Sequence, residues 1–68
     1  MKESDIVYAV GLFWVFRDTK KVQYTVFRTK FTHSESDSAY PLNDDGLSIA
    51  KARVDYMHKR HGIDLKIA

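Results

Sequence analysis

Apolar residues run without a charge from Ile6 to Phe16, reading Ile-Val-Tyr-Ala-Val-Gly-Leu-Phe-Trp-Val-Phe. β-branched and aromatic side chains dominate this stretch, which favours a strand over a buried helix. It would be longer than the usual ~5–6 residues of a strand. Strand alternation places Ile6, Tyr8, Val10, Leu12, Trp14 and Phe16 on one face, with Val7, Ala9, Gly11, Phe13 and Val15 on the other. Both faces are apolar. A half-exposed antiparallel strand alternates apolar with polar, so this one is expected to be covered on both sides.

The pattern then turns polar. Arg17-Asp18-Thr19-Lys20-Lys21 predicts a hairpin turn, and the absence of Asn-Gly or Asp-Gly favours a four-residue loop built on a type I turn. Val22 to Thr32 reads as the return strand, but its parity breaks. Val22, Tyr24 and Val26 share one face, whereas Phe27 and Phe31 fall on the other. Either this strand also has two partly apolar faces, or a bulge near Val26 and Phe27 shifts the register, with Gly11 a plausible place for the distortion. His33 to Ser38, rich in serine and carboxylates, predicts a polar loop.

A helix follows. Asn43 is placed as its N-cap, Asp44 and Asp45 lie in the first turn where the dipole favours carboxylates, and Leu42 with Leu47 forms a hydrophobic staple. The helix is expected to run to about His61 and to stop at Gly62. At 100° per residue, Leu47, Ala50, Val54, Met57 and His61 form one stripe for the sheet, and Ser48, Lys51, Asp55, His58 and Lys59 face water. Ile63-Asp64-Leu65-Lys66-Ile67 alternates and predicts a last strand. The expected fold is α+β, in the order β-β-α-β. It is a single domain over residues 1–68, with a three-stranded sheet and one helix packed on one face. Either hairpin strand can take the last strand as a neighbour. A parallel place beside the first strand is favoured, because it makes that strand central and accounts for its two apolar faces.

Composition narrows the picture. A chain of 68 residues has a modest core and needs reinforcement, and without cysteine neither disulfides nor thiolate metal sites supply it. Self-association through the sheet or binding to a partner is the expected supplement. The lack of cysteine also suits a reducing compartment. The net charge of +2 is too small to imply nucleic acid. Charge is nevertheless split, with basic residues over 17–30 and in the helix, and acidic ones over 34–45. No apolar run reaches a membrane span, and the acidic start at Met1-Lys2-Glu3-Ser4-Asp5 does not suit a signal peptide, so a whole cytoplasmic product is expected.

Candidate chemistry is sparse. His58 and His61 stand three apart, but no third ligand is placed by spacing, and His33 is distant. The Ser-Glu-Ser-Asp-Ser loop lacks the order of a calcium loop, and there is no nucleophile or phosphate-loop motif. No cofactor and no catalysis are expected. The distinctive surface set is Ile49, Arg53, Tyr56 and Arg60 on one shoulder of the helix, since Arg and Tyr are enriched in binding hot spots. The plainer alternative is that Ile49 and Tyr56 widen the core stripe while the arginines snorkel beside them. Trp14 is a second anchor candidate, with burial in the core as its alternative.

Two classes of function follow. The first is a protein-binding module. The size, the element order and the apolar strand Val10-Gly11-Leu12-Phe13-Trp14-Val15-Phe16 before a polar turn resemble small phage-encoded host-takeover and counter-defence proteins. These include the short RNA-polymerase inhibitors of T7-like phages and the antitoxin of T4-like phages. The resemblance covers most of the chain and implies inhibition by occluding a host macromolecule, but it carries no particular residue across. The second class is DNA binding. A sheet followed by a helix opening Asp45-Gly46-Leu47-Ser48-Ile49-Ala50-Lys51-Ala52-Arg53 is similar to AP2-type and integrase arm-binding domains, which lay a three-stranded antiparallel sheet in the major groove. That resemblance implies contacts from Arg17, Lys20, Lys21, Arg28 and Lys30. It also requires a third antiparallel strand before the helix, where this chain carries its acidic serine-rich stretch.

Overall fold

A computed structural model of the chain describes residues 5–67, with side chains described from residue 5 to residue 61. The long apolar run is two strands instead of one. β1 (Ile6–Val10) turns at Gly11 and Leu12 and returns as β2 (Phe13–Asp18), with Val10 opposite Phe13. Gly11 has φ +59°, and glycine at the first central position is the type II′ pattern, whose twist matches that of the flanking strands. Space makes the same demand. A Cβ at Gly11 would lie 2.6 Å from Nδ1 of His58. Folding the run back on itself changes which residues share a face. Tyr8 and Val10 lie with Phe13 and Val15, whereas Ala9 lies with Trp14. An irregularity between Ile6 and Tyr8 brings Ile6 opposite Phe16 on Trp14's face.

β3 (Gln23–Thr29) follows the expected polar loop, with Asp18 opposite Gln23. The Asp18 carboxylate organises this loop by accepting the main-chain N–H groups of Lys20 and Lys21 at 3.1 and 3.0 Å. Val22 closes it at φ 55°, a left-handed conformation that a β-branched residue adopts only under strain. β3 pairs regularly with β2, so its two apolar faces are real: Tyr24, Val26 and Arg28 on one, Thr25, Phe27 and Thr29 on the other.

The stretch expected as a polar loop, His33 to Ser38, instead enters β4 (Ser34–Pro41). The sheet therefore has four strands, in the order β1-β2-β3-β4, and every pairing is antiparallel. The register slip lies between Val26 and Phe27 in the pairing with β4. Val26 faces Ser38 and Phe27 faces Ser36, which leaves Asp37 as the extra residue.

α1 (Asp44–Ile67) crosses one face of the sheet. The Asn43 side-chain oxygen accepts the N–H of Gly46 at 2.7 Å, so Asn43 is the N-cap. Gly46 fits closely against the end of β4. A Cβ there would stand 1.8 Å from the Pro41 carbonyl oxygen and 2.8 Å from its carbon. The helix does not stop at Gly62. It runs through Ile67, so the expected strand Ile63–Ile67 is helical, and β1 is an edge strand instead of a central one. One interior glycine costs a helix about 1 kcal/mol, which is not enough to end it. Ala50 and Val54 are fully buried on Phe13, Val15 and Val26, and Leu47 and Met57 pack at the rim with Tyr8, Val10, Tyr24 and Tyr40. The helix phase is the one its periodicity predicts.

Gly46→Ala forces the Pro41 carbonyl out of place, and a fixed backbone group cannot yield cheaply. Thermal or denaturant unfolding is expected to show a loss of about 2–3 kcal/mol. Val22→Asn has the opposite sign. Val22 is largely exposed, and asparagine tolerates its left-handed conformation, so stability is expected to rise by about 1 kcal/mol. An unchanged melting temperature in either variant would contradict the corresponding backbone geometry.

Candidate functional site

A single helix leaves the other face of the sheet open. Alternation puts Trp14 and Phe16 of β2 and Phe27 of β3 on that face, beside Ile6 and Ala9 of β1. The aromatic side chains form a ridge. Trp14 and Phe27 stack with centroids 4.5 Å apart and ring planes 18° apart, and Phe16 meets Phe27 edge-on at 6.2 Å. The Trp14 indole N–H donates to the Thr29 hydroxyl at 3.0 Å, which fixes the ring's orientation. Trp14 is thus half-buried on the open face, and the aromatic ring buried in the core is that of Phe13. On the β4 side the ridge is bordered by Ser36 and Ala39, and toward the β2–β3 loop an open hollow lies among Asp5, Phe16, Lys20 and Phe27. This face carries no arginine or lysine from its paired strand positions.

The helix shoulder is present, but its members differ in availability. Ile49 and Tyr56 are about half exposed, and Arg60 is exposed. Arg53 is engaged. Its guanidinium makes two contacts with the Asp37 carboxylate, Nε donating at 2.8 Å and Nη2 at 3.2 Å, and it also lies 5.8 Å from the centre of the Tyr56 ring. Asp37 is the bulge residue of β4, so the bulge supplies the carboxylate that ties α1 to that edge. The main chain of Asp37 is open to water, while its side chain is only 20% exposed. The guanidinium holds the Asp37 carboxyl below the usual carboxylate range, and the same hydrogen bond raises Arg53.

The basic set does not converge. Arg17 reaches Asp5 at 3.6 Å, and Lys30 reaches Glu35 at 2.7 Å, which lowers the Glu35 carboxyl. Arg28 turns to the helix face, 5.8 Å from the centre of the Phe13 ring. Lys20 and Lys21 sit in the β2–β3 loop at the opposite end from Lys30. His58 lies against Gly11, and His61 meets Phe13 edge-on at 6.1 Å. Among the described residues there is no group of three or more His, Cys, Asp or Glu able to hold a metal. None of the described helices is long and apolar enough to cross a membrane. One residue that the periodicity misplaced is Phe31. It lies outside β3, fully exposed in a tight turn closed by Lys30 N–H to the His33 carbonyl at 2.7 Å.

Comparison of the chain with protein-family models, curated proteins and solved structures finds no match. The site therefore rests on its own geometry.

The Asp37–Arg53 pair makes a pH prediction. A carboxyl depressed in the folded state contributes stability above its unfolded value of ~3.9, and that contribution is lost as pH falls below this through the folded value. Asp37→Asn is expected to cost about 1 kcal/mol at neutral pH, the level of a partly solvated ion pair, and to flatten the loss of stability below about pH 4. Chemical denaturation at several pH values checks both.

Proposed function

We propose that this chain is a non-enzymatic protein-binding module. In this reading the open aromatic face of its sheet is the docking surface through which it occludes a partner macromolecule. The observation that supports this is the ridge of Trp14, Phe16 and Phe27, bordered by Ile6. Aromatic rings at the centre of a patch, rimmed by small polar residues, have the composition of a protein interface core. An uncovered apolar patch on a small domain commonly marks such a contact. The exposed side chains of the helix shoulder, Ile49, Tyr56 and Arg60, offer a second contact region, whereas Arg53 acts through its bond to Asp37. Occlusion is also the mode implied by the resemblance to small phage-encoded inhibitors, which remains part of this proposal.

DNA binding is the second reading, and one feature favours it. β4 supplies the antiparallel strand before the helix that the AP2-type and integrase arm-binding arrangement requires. The charges do not follow that arrangement, because the face that would enter the groove is aromatic and has Asp18 as the one charged residue at its paired strand positions, and Arg17 and Lys30 have carboxylate partners.

The test compares capture from a lysate of the source cells by the wild-type chain and two double variants. Trp14→Ala with Phe16→Ala is expected to weaken a specific capture at least tenfold, which corresponds to ~1.4 kcal/mol or more. Lys20→Ala with Lys21→Ala is expected to leave it unchanged. Capture that survives the aromatic change would refute the assigned surface. Duplex DNA binding whose affinity drops steeply between low and physiological salt would replace protein binding with the second reading.

A further inference from the structure

The two edges of the sheet are built differently. β4 carries Glu35 and Asp37, has a bulge, and ends at Pro41, which has no N–H to offer. Charges, bulges and proline are the devices that keep an edge from pairing with another strand. β1 reads Ile-Val-Tyr-Ala-Val, without charge or proline, and Ile6 and Val7 are each 37% exposed. Its irregularity lies between Ile6 and Tyr8, and from Tyr8 through Val10 its register with β2 is regular. Among the described residues, β1 has no strand on its outer side.

We infer that β1 is a self-pairing edge, and that a second copy of this chain adds to it antiparallel about a two-fold axis at Ala9. The register supports this centre. Val10 and Phe13 close a two-residue turn and direct their main-chain groups at each other, so alternation turns those of Ala9 outward. Two copies of Ala9 placed opposite each other exchange both hydrogen bonds, and the small side chain permits the approach. Tyr8 of each copy then faces Val10 of the other, an aromatic and β-branched pair of the kind that stabilises antiparallel ladders. Both side chains already pack at the rim of the core, so pairing would extend that core across the axis. A symmetric interface needs a self-complementary patch, and an uncharged strand brings no like charges together.

The nearest charges also offset each other. Lys51 lies 5.5 Å from the centre of the Tyr8 ring, and the Asp55 carboxylate accepts the Tyr8 hydroxyl at 2.7 Å. Neither sign dominates at the edge, so approach of an identical copy meets no net repulsion from this pair. Pairing at β1 would join two four-stranded sheets into one and make their open faces continuous. Pairing uses the outward main-chain groups of β1, whereas the proposed docking surface uses the aromatic side chains of β2 and β3 beside it, so the two can fail separately.

Sedimentation of the wild-type chain at micromolar and higher concentrations is expected to show a dimer. Ala9→Lys is expected to raise the dissociation constant at least tenfold while leaving the far-ultraviolet circular dichroism unchanged. The chain has no native cysteine, so Ala9→Cys gives a second readout that does not depend on how Ala9→Lys folds. Directly opposed residues in a hydrogen-bonded antiparallel pair have Cα atoms ~5.5 Å apart, within disulfide range, so mild oxidation should yield covalent dimer. Trp14→Cys should not do so. A wild-type chain that stays monomeric throughout overturns the inference. So does failure of Ala9→Cys to cross-link, or a dimer that survives Ala9→Lys but is dispersed by Trp14→Ala.

Discussion

One helix brings one apolar stripe, and it can dry only one side of a sheet. Ala50 and Val54 are small enough to let the helix axis lie close over Val15 and Val26, and all four are fully buried. The entry of the helix is fixed separately, because Asn43 caps it and Gly46 admits the Pro41 carbonyl where a side chain would otherwise stand. Direction and height of the helix are thus set by contacts at its first turn and along its stripe. The far side of the sheet must meet water or another molecule. β4 meets that condition with serines, and β3 partly meets it with Gln23 and Thr29. β2 meets it only at Asp18, since its other outward positions are Trp14 and Phe16. The tension between one covering element and two apolar faces is what makes the open side a surface to explain.

The helix and the central hairpin were legible because their signals agree with one another. Cap, first-turn carboxylates and stripe all place the helix at the same phase, and the polar stretch around Asp18 is organised by its side chain as well as by its composition. The first turn was missed for an identifiable reason. Asn-Gly and Asp-Gly are the familiar hairpin signals, but a type II′ turn needs only glycine at its first central position, and Val10-Gly11-Leu12-Phe13 offers that inside an unbroken apolar run. The excessive length of that run was the available clue. β4 was illegible by propensity, because serines and carboxylates are poor strand formers. Pairing with β3 overrides propensity at an edge, where polar residues are tolerated on both faces. At the other end, Ile63, Leu65 and Ile67 alternate as a strand would. Spacings of two and four residues also fit within a helix, so the pattern did not discriminate.

The charges show why surface sets read from spacing alone are incomplete. Arg53 stands out by its neighbours on the helix wheel, yet its partner Asp37 comes from β4, a stretch whose composition reads as a loop. Arg17 and Lys30 likewise have carboxylate neighbours, and Arg28 covers Phe13. Much of the apparent polarity of the chain is thus internal wiring between strands and helix. The large aromatic side chains show the reverse. Their placement follows from topology, since a turn at Gly11 instead of a continuous strand decides that Phe13 is buried under the helix and Trp14 lies half-buried on the opposite face.

Strand order in this sheet equals order in the chain, and the helix comes last. Each strand therefore pairs with its neighbour in the chain, with no crossover to wait for, and low sequence separation favours rapid pairing. The helix packs on strands far from it in sequence, β1 and β2 above all, so its docking closes the longest loops of the fold. In a chain whose hairpins have paired and whose helix has not yet docked, both sides of the sheet are bare, and Phe13, Val15 and Val26 are as accessible as Trp14 and Phe16. Chaperone engagement of that species would act on a surface that the finished molecule hides.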